Sequence, residues 1–262
     1  MWSYKHSGFS VHQLPALNDN YIYLIDVDNS DMMAVVDPAD ATPVKEACKI
    51  LGKPLTHILN THHHWDHTDG NIPLKSSFGC QVIGAGVDAA RIPEIDIEVS
   101  EGTALDLGKI PIQIIFVPGH TIGHIAFLIK DALFCGDTLF GGGCGRLFEG
   151  THEQMWDSLS KLSRLNDSTK VYCAHEYTLA NLRFARNVDR ENSALTSRIS
   201  VDTQRRMKKE PTIPSIIGTE RSTNPFLRAA DGEFCASYAA VNNIPADALS
   251  VFTHLRASKD RI

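Results

Sequence analysis

Two sheets packed between helices, followed by a mainly helical domain from about residue 176, is the fold that three features of the chain predict, an α/β class (α+β on some schemes). Strand-like apolar runs recur through the first two thirds, and long helical patterns are few there. Beyond Tyr177 strand patterns vanish and helical ones follow one another. The domains are accordingly read as 1–175 and 176–262.

In order, Tyr21 to Val27 and Met32 to Val36 read as strands, and Pro43 to Gly52 as a helix with Thr42 at its cap and Pro43 at its first position. Leu55 to Asn60 is a short β-branched and aliphatic strand. Ile112 to Val117, Ile125 to Ile129, Leu133 to Cys135 and Val171 to Ala174 read the same way. A helix starts at Thr151, where Thr151 and Gln154 form a capping-box pattern ahead of Met155, Leu159 and Leu162. Residues 178–189, 193–209, 233–242 and 246–257 read as helices. Residues 210–228, with Pro211, Pro214 and Pro225, read as a long crossing segment. No internal repeat or low-complexity tract interrupts this order.

The run Thr61-His62-His63-His64-Trp65-Asp66-His67 carries the chemistry. Histidine makes up 12 of 262 residues, and four of them fall in these seven positions. Imidazole nitrogen and carboxylate oxygen are donors that divalent metals such as zinc accept. A solvated His-rich loop or a tag-like cluster is the competing reading, but the run leaves the carboxyl end of an apolar strand and precedes the small polar Thr68-Asp69-Gly70-Asn71. Alternate residues His62 and His64 can point to one side while Asp66 and His67 turn to another. Two neighbouring metals are the economical explanation.

Three further strands deliver one donor each at their carboxyl ends, where layered α/β folds build their sites. They end in Pro118-Gly119-His120-Thr121, Gly136-Asp137-Thr138 and His175-Glu176-Tyr177. Singly, each histidine reads as a turn or core residue and the aspartate as a cap. Their recurrence at one structural position favours ligands.

These motifs, with Gly142-Gly143-Cys144-Gly145-Arg146-Leu147-Phe148-Glu149-Gly150 and His175-Glu176-Tyr177-Thr178, resemble the metallo-β-lactamase superfamily and, more narrowly, its hydroxyacylglutathione hydrolases, the glyoxalase II family. The likeness covers nearly the whole chain. It implies a four-layer αββα sandwich with a smaller helical C-terminal domain, and two divalent metal ions: zinc, with iron or manganese also accepted. It implies His62, His64 and His120 on one ion, Asp66, His67 and His175 on the other, and Asp137 between them. His63 and His57 are assigned to support or packing, and Trp65 to packing that fixes the loop.

The implied reaction is hydrolysis of S-(2-hydroxyacyl)glutathione, chiefly S-D-lactoylglutathione, to D-lactate and glutathione by a metal-bridging hydroxide held with Asp137 and Asp66. This is the second step of the glyoxalase pathway, which disposes of methylglyoxal. Two ions about 3.5 to 4 Å apart lower the pKa of a shared water from about 15.7 toward about 7. A thioester suits such a site because a thiol with pKa near 8.5 leaves as thiolate with little protonation. The implied substrate contacts are Arg146, Tyr177, Arg256 and Lys259, in a cleft between the domains. For Arg256 and Lys259 an ordinary charged helix surface is the alternative. Arg146 and Phe148 stand where some relatives carry lysine and tyrosine, which changes the peptide contacts and leaves the reaction class alone. A persulfide dioxygenase or a lactonase are alternatives on the same fold, and a metal-binding protein without turnover is one of another class.

A net charge of −6 leaves no basic field to recruit nucleic acid, and Arg205-Arg206-Lys208-Lys209 reads as a solvated helix face. Six cysteines occur singly, without a Cys-x-x-Cys pair, which suits a reducing cytoplasm. Cys135 and Cys173 read as core residues and Cys144 as a loop residue near the site. No signal-like opening and no long apolar run is present. The expected partner is a small-molecule substrate, with no nucleic acid and no membrane, for a monomer.

Overall fold

The first strands of the chain pair as a meander in the computed structural model, which describes residues 1–261. The chain divides into two compact units, one of residues 1–116 with 123–136, the other of residues 117–122 with the chain from Asp137 onward. The sequence-based boundary at 175/176 is a different partition from these units.

In the first unit, β1 (Trp2–His6), β2 (Phe9–Ala16), β3 (Asn20–Val27), β4 (Met33–Val36), β5 (His57–Leu59), β6 (Gln81–Ala85) and β7 (Ile97–Val99) lie side by side in chain order. The pairs up to β4 are antiparallel and those from β4 to β7 parallel. Parallel neighbours need a crossover, and α1 (Ala41–Leu51) and α3 (Asn71–Phe78) supply two of them. Between β5 and α3 lies the single turn α2 (Trp65–Thr68). A second sheet of β8 (Leu105–Leu107), β9 (Ile110–Phe116), β10 (Ile125–Ile129) and β11 (Ala132–Gly136) is antiparallel throughout.

Alternation sorts the two faces of β3. Ile22 and Leu24 join Met33, Val35, Val44, Ala47 and Leu74 in the core under α1 and α3. Tyr23, on the opposite face, meets Phe134 of β11 with ring centroids 5.7 Å apart. With both faces covered, β3 and β4 read as continuous apolar runs. Each such Ile, Leu or Val contributes roughly 1.5–3 kcal/mol by leaving water.

The second unit opens its long segment with the hairpin of β12 (Leu139–Phe140) and β13 (Gly143–Cys144), then α4 (His152–Ser163) and β14 (Lys170–Cys173). There follow α5 (Thr178–Val188), α6 (Ser193–Met207), β15 (Ser215–Ile216), α7 (Ile217–Thr223), α8 (Pro225–Arg228), α9 (Gly232–Asn242) and α10 (Ala248–Lys259). The capping box expected at Thr151 and Gln154 is present in both directions.

Three readings need correction. The cap of α1 is Asp40, whose Oδ1 accepts from Thr42 N at 2.8 Å, so the helix starts two residues early and Pro43 takes its third position. Strands do not end at Tyr177, because β15 pairs with β14. The crossing segment 210–228 contains α7 and α8, and Pro225 is the first residue of α8.

Candidate metal centre and substrate pocket

In the first unit the histidine run is held from beneath by Asp37, which follows β4 at φ 48°. Its carboxylate accepts from Thr61 N (2.8 Å) and Thr61 Oγ1 (2.7 Å) and lies 3.0 Å from His67 Nδ1. Asn60 donates to His67 O at 2.9 Å, so the turn through α2 is closed by the strand that launches it. Even a glycine is required here: a Cβ on Gly136, at φ +46°, would sit 2.3 Å from Thr61 Oγ1.

This frame gathers four of the expected donors. His62 Nε2 faces His64 Nδ1 at 3.0 Å, and the His62 and His67 rings are 4.1 Å apart. His67 Nε2 lies 3.7 Å from Asp66 Oδ2, and Asn20 Nδ2 holds Asp66 through its carbonyl (3.1 Å) and carboxylate (3.3 Å). His62 stacks on His124 at 4.6 Å. His63 turns away to Asp88 at 3.0 Å, in keeping with a supporting role, while His57 meets Thr56 Oγ1 at 2.8 Å. Trp65 does not pack: it is 63% exposed, because position one of α2 points outward.

The second unit gathers the other three. His120 Nε2 lies 3.4 Å from Asp137 Oδ2, and His175 Nε2 lies 3.3 Å from Asp137 Oδ1, all three residues being buried. His120 Nδ1 is tied to Arg146 O at 2.7 Å and His175 stacks flat on Tyr177 with centroids 4.8 Å apart. The approach is so close that a Cβ on Gly145 would meet Asp137 O at 1.9 Å.

Both clusters suit divalent metal ions. Their donors are imidazoles and carboxylates, the set that zinc, iron and manganese take. The Nδ1 atoms of His67 and His120 are engaged by Asp37 and by Arg146 O, which presents the Nε2 side as the donor and fixes the ring. Burial pushes the Cys144 thiol up, which disfavours the thiolate form. Cys135 and Cys173 are core residues, as expected.

A cavity of about 330 Å³ in the second unit is lined by His120, Asp137 and all four expected substrate residues, Arg146, Tyr177, Arg256 and Lys259. It draws on both sides of residue 175. Arg256 is not a surface charge: it is 3% exposed, donates to Cys144 O (2.9 Å) and Asp260 (2.9 Å), and lies over the Phe226 ring. Lys259 Nζ donates to Asn181 Oδ1 at 2.5 Å and sits over Phe184. Burial first, then the charge of Arg256, pulls the Lys259 ammonium down to about 8. Phe148 and Asn181 also line this cavity.

Asp37, Asn20, Asn60 and Asn181 were not expected from the sequence. Asp37 had a signal: it stands at the carboxyl end of an apolar strand, the same position that marked Asp137.

Comparison with known proteins bears on the fold and the family. The model of the metallo-β-lactamase superfamily matches residues 17–175, and that of the hydroxyacylglutathione hydrolase C-terminus matches residues 176–262. A hydroxyacylglutathione hydrolase of Rhodospirillum rubrum is 47% identical over 97% of this chain and 99% of that protein. One of Methylococcus capsulatus is 48% identical over 95% and 96%. The crystal structure of ETHE1 from Myxococcus xanthus shares the fold, with a TM-score of 0.66 at 24% identity over 94% of this chain and 98% of that one. With a mixed α/β metallo-β-lactamase fold, a helical C-terminal region and near-half identity along its length, the chain belongs to the hydroxyacylglutathione hydrolase family of that superfamily.

Proposed function

We propose that the protein hydrolyses S-(2-hydroxyacyl)glutathione, chiefly S-D-lactoylglutathione, to D-lactate and glutathione, the second step of methylglyoxal disposal. The observation that carries this reading is the cavity with His120 and Asp137, the carboxylate that His175 also meets, at one part of its wall and Arg146, Arg256 and Lys259 at another. Such a wall attracts the carboxylate of a peptide thiol while its thioester reaches the histidines.

Two divalent ions, zinc or in its place iron or manganese, would be held by His62, His64 and His120 and by Asp66, His67 and His175, with Asp137 shared; when bound they supply an acidified water and a polarised carbonyl. The support for this assignment is family membership and the donor chemistry within each unit. The chain's own residues bind and orient. Tyr177, stacked on His175, brings a phenol to the cavity wall, and His120 is kept in one tautomer by Arg146 O. Cys144, buried and with its thiolate form disfavoured, is unfit as a nucleophile. The departing thiolate needs no proton donor near pH 8. The domain division at 175/176, a monomeric state and a cytoplasmic location belong to the same reading; the six cysteines, outside any disulfide among the described residues, suit the last of these. No helix in the described residues is long and apolar enough to cross a membrane.

The test is elemental analysis of the purified protein together with an assay of thiol released from S-D-lactoylglutathione. The expected result is about two equivalents of metal and turnover that chelation removes and metal restores. Metal uptake without thioester cleavage would sink the assignment.

A pH dependence follows from Lys259. Its ammonium is charged below about pH 8 and neutral above, so a carboxylate contact to it is present at low pH and lost as pH rises through 8. KM for the glutathione thioester is expected to climb by up to about tenfold across that range. Lys259→Arg, charged throughout, should flatten the climb, and a KM profile that rises equally in this variant would remove Lys259 from the explanation.

A further inference from the structure

A second cavity, of about 350 Å³, adjoins the first and shares Arg146, Ala180, Arg256 and Lys259 with it. Its remaining wall is Arg183, Phe184 and Asn187, which with Ala180 form one stripe of α5 at helical spacing. None of its lining residues is acidic. Arg146 and Arg256 share the carboxylate of Asp260, and Lys259 is held by Asn181.

Arg183 differs from these three. It is exposed and forms no hydrogen bond or ion pair among the described residues, yet it closes a cavity in which three other cations are already gathered. A helix-surface arginine is ordinarily just solvated. Here the neighbouring charges repel it, and an entering anion relieves that repulsion. Asn187, one turn further along α5, offers both an amide oxygen and an amide N–H to the same space.

We propose that this outer cavity is a subsite for the amino-acid end of the thiol carrier, with Arg183 donating to its carboxylate and Asn187 accepting from the adjacent ammonium. Arg183 is then a specificity-determining residue, separating a tripeptide thioester from one shortened at that end. The inference rests on the glutathione-thioester reading above, in which the inner cavity takes the other carboxylate.

The experiment compares wild type with Arg183→Ala on S-D-lactoylglutathione and on the lactoyl thioester of N-acetylcysteinylglycine, which lacks the γ-glutamyl group and whose acetyl group blocks transfer of the acyl group to the cysteine nitrogen. On the tripeptide, KM should rise roughly fivefold, the scale of one exposed charge-assisted contact. On the dipeptide it should move much less, and Arg183→Lys should recover part of the loss. Equal changes on both thioesters, or none on either, overturn the subsite. If the wild type cleaves neither thioester, the parent reading fails separately. Titration of glutathione itself into both proteins then decides: weaker binding by the variant supports the subsite, and equal binding overturns it.

Discussion

Asp137→Ala is expected to lose at least about a thousandfold in kcat/KM for S-D-lactoylglutathione while the chain stays folded. Asp137 is the carboxylate toward which two buried imidazoles point, His120 at 3.4 Å and His175 at 3.3 Å. On the proposed reading it is also the shared ligand. On that reading, removing it would leave three donors on each side with nothing to join them and take away a negative charge that would offset the ions. A loss of several kcal/mol in transition-state stabilisation corresponds to three or more powers of ten. Stability should change less, since the side chain fills little volume and the neighbouring backbone is held by other bonds, Gly145 N to Thr138 O among them. The checks are initial rates, metal equivalents per chain and the circular dichroism melt. Activity within tenfold of wild type, at unchanged metal content, would mean that Asp137 is not a shared ligand. Asp137→Asn separates charge from shape: the amide keeps one acceptor and loses the anion, so it should fall nearly as far.

Much of this site was legible because its donors stand where a simple rule looks, at the carboxyl ends of apolar strands. His62, His120, Asp137 and His175 were found that way, and Asp37 would have been, had the rule been applied to Met32–Val36. Other features were hidden for physical reasons. β1 and β2 carry Ser3, Lys5, His12 and Gln13, and buried polar residues such as His12 and Gln13 break the apolar pattern that signals a strand. The depth of Arg256 was invisible, since its partner, the carbonyl of Cys144, is 112 residues away and no local periodicity reports it. Trp65 shows the opposite error: a large aromatic was taken for a packing residue although a polar helical turn can leave it outside.

Arg198→Ala should destabilise the protein by roughly 3–5 kcal/mol, the largest expected effect outside the site. Its guanidinium is buried and spends its donors on Glu220 (2.6 Å), Asp202 (3.2 Å) and Thr223 (2.7 Å). Glu220 is fully buried, and its carboxylate also accepts from Ser215 (2.6 Å), Gly142 N (2.8 Å) and Asn224 (3.2 Å). Truncating the arginine therefore leaves an uncompensated charge in the interior, and it is this, more than the lost attraction, that sets the magnitude. The prediction has an internal control. Arg198→Met with Glu220→Gln removes the guanidinium and its fully buried carboxylate partner, leaving only the less deeply buried Asp202 without its cation, so it should recover part of the loss. Glu220 also reaches the site, because Gly142 lies in the turn of the β12–β13 hairpin that leads to Cys144 and Arg146. Urea unfolding of each variant at one fixed metal concentration is the measurement, since metal bound to the native state adds its own stability. A single-variant loss below about 1 kcal/mol, or a double variant no better than Arg198→Ala, would show that water or a rearranged partner already compensates Glu220.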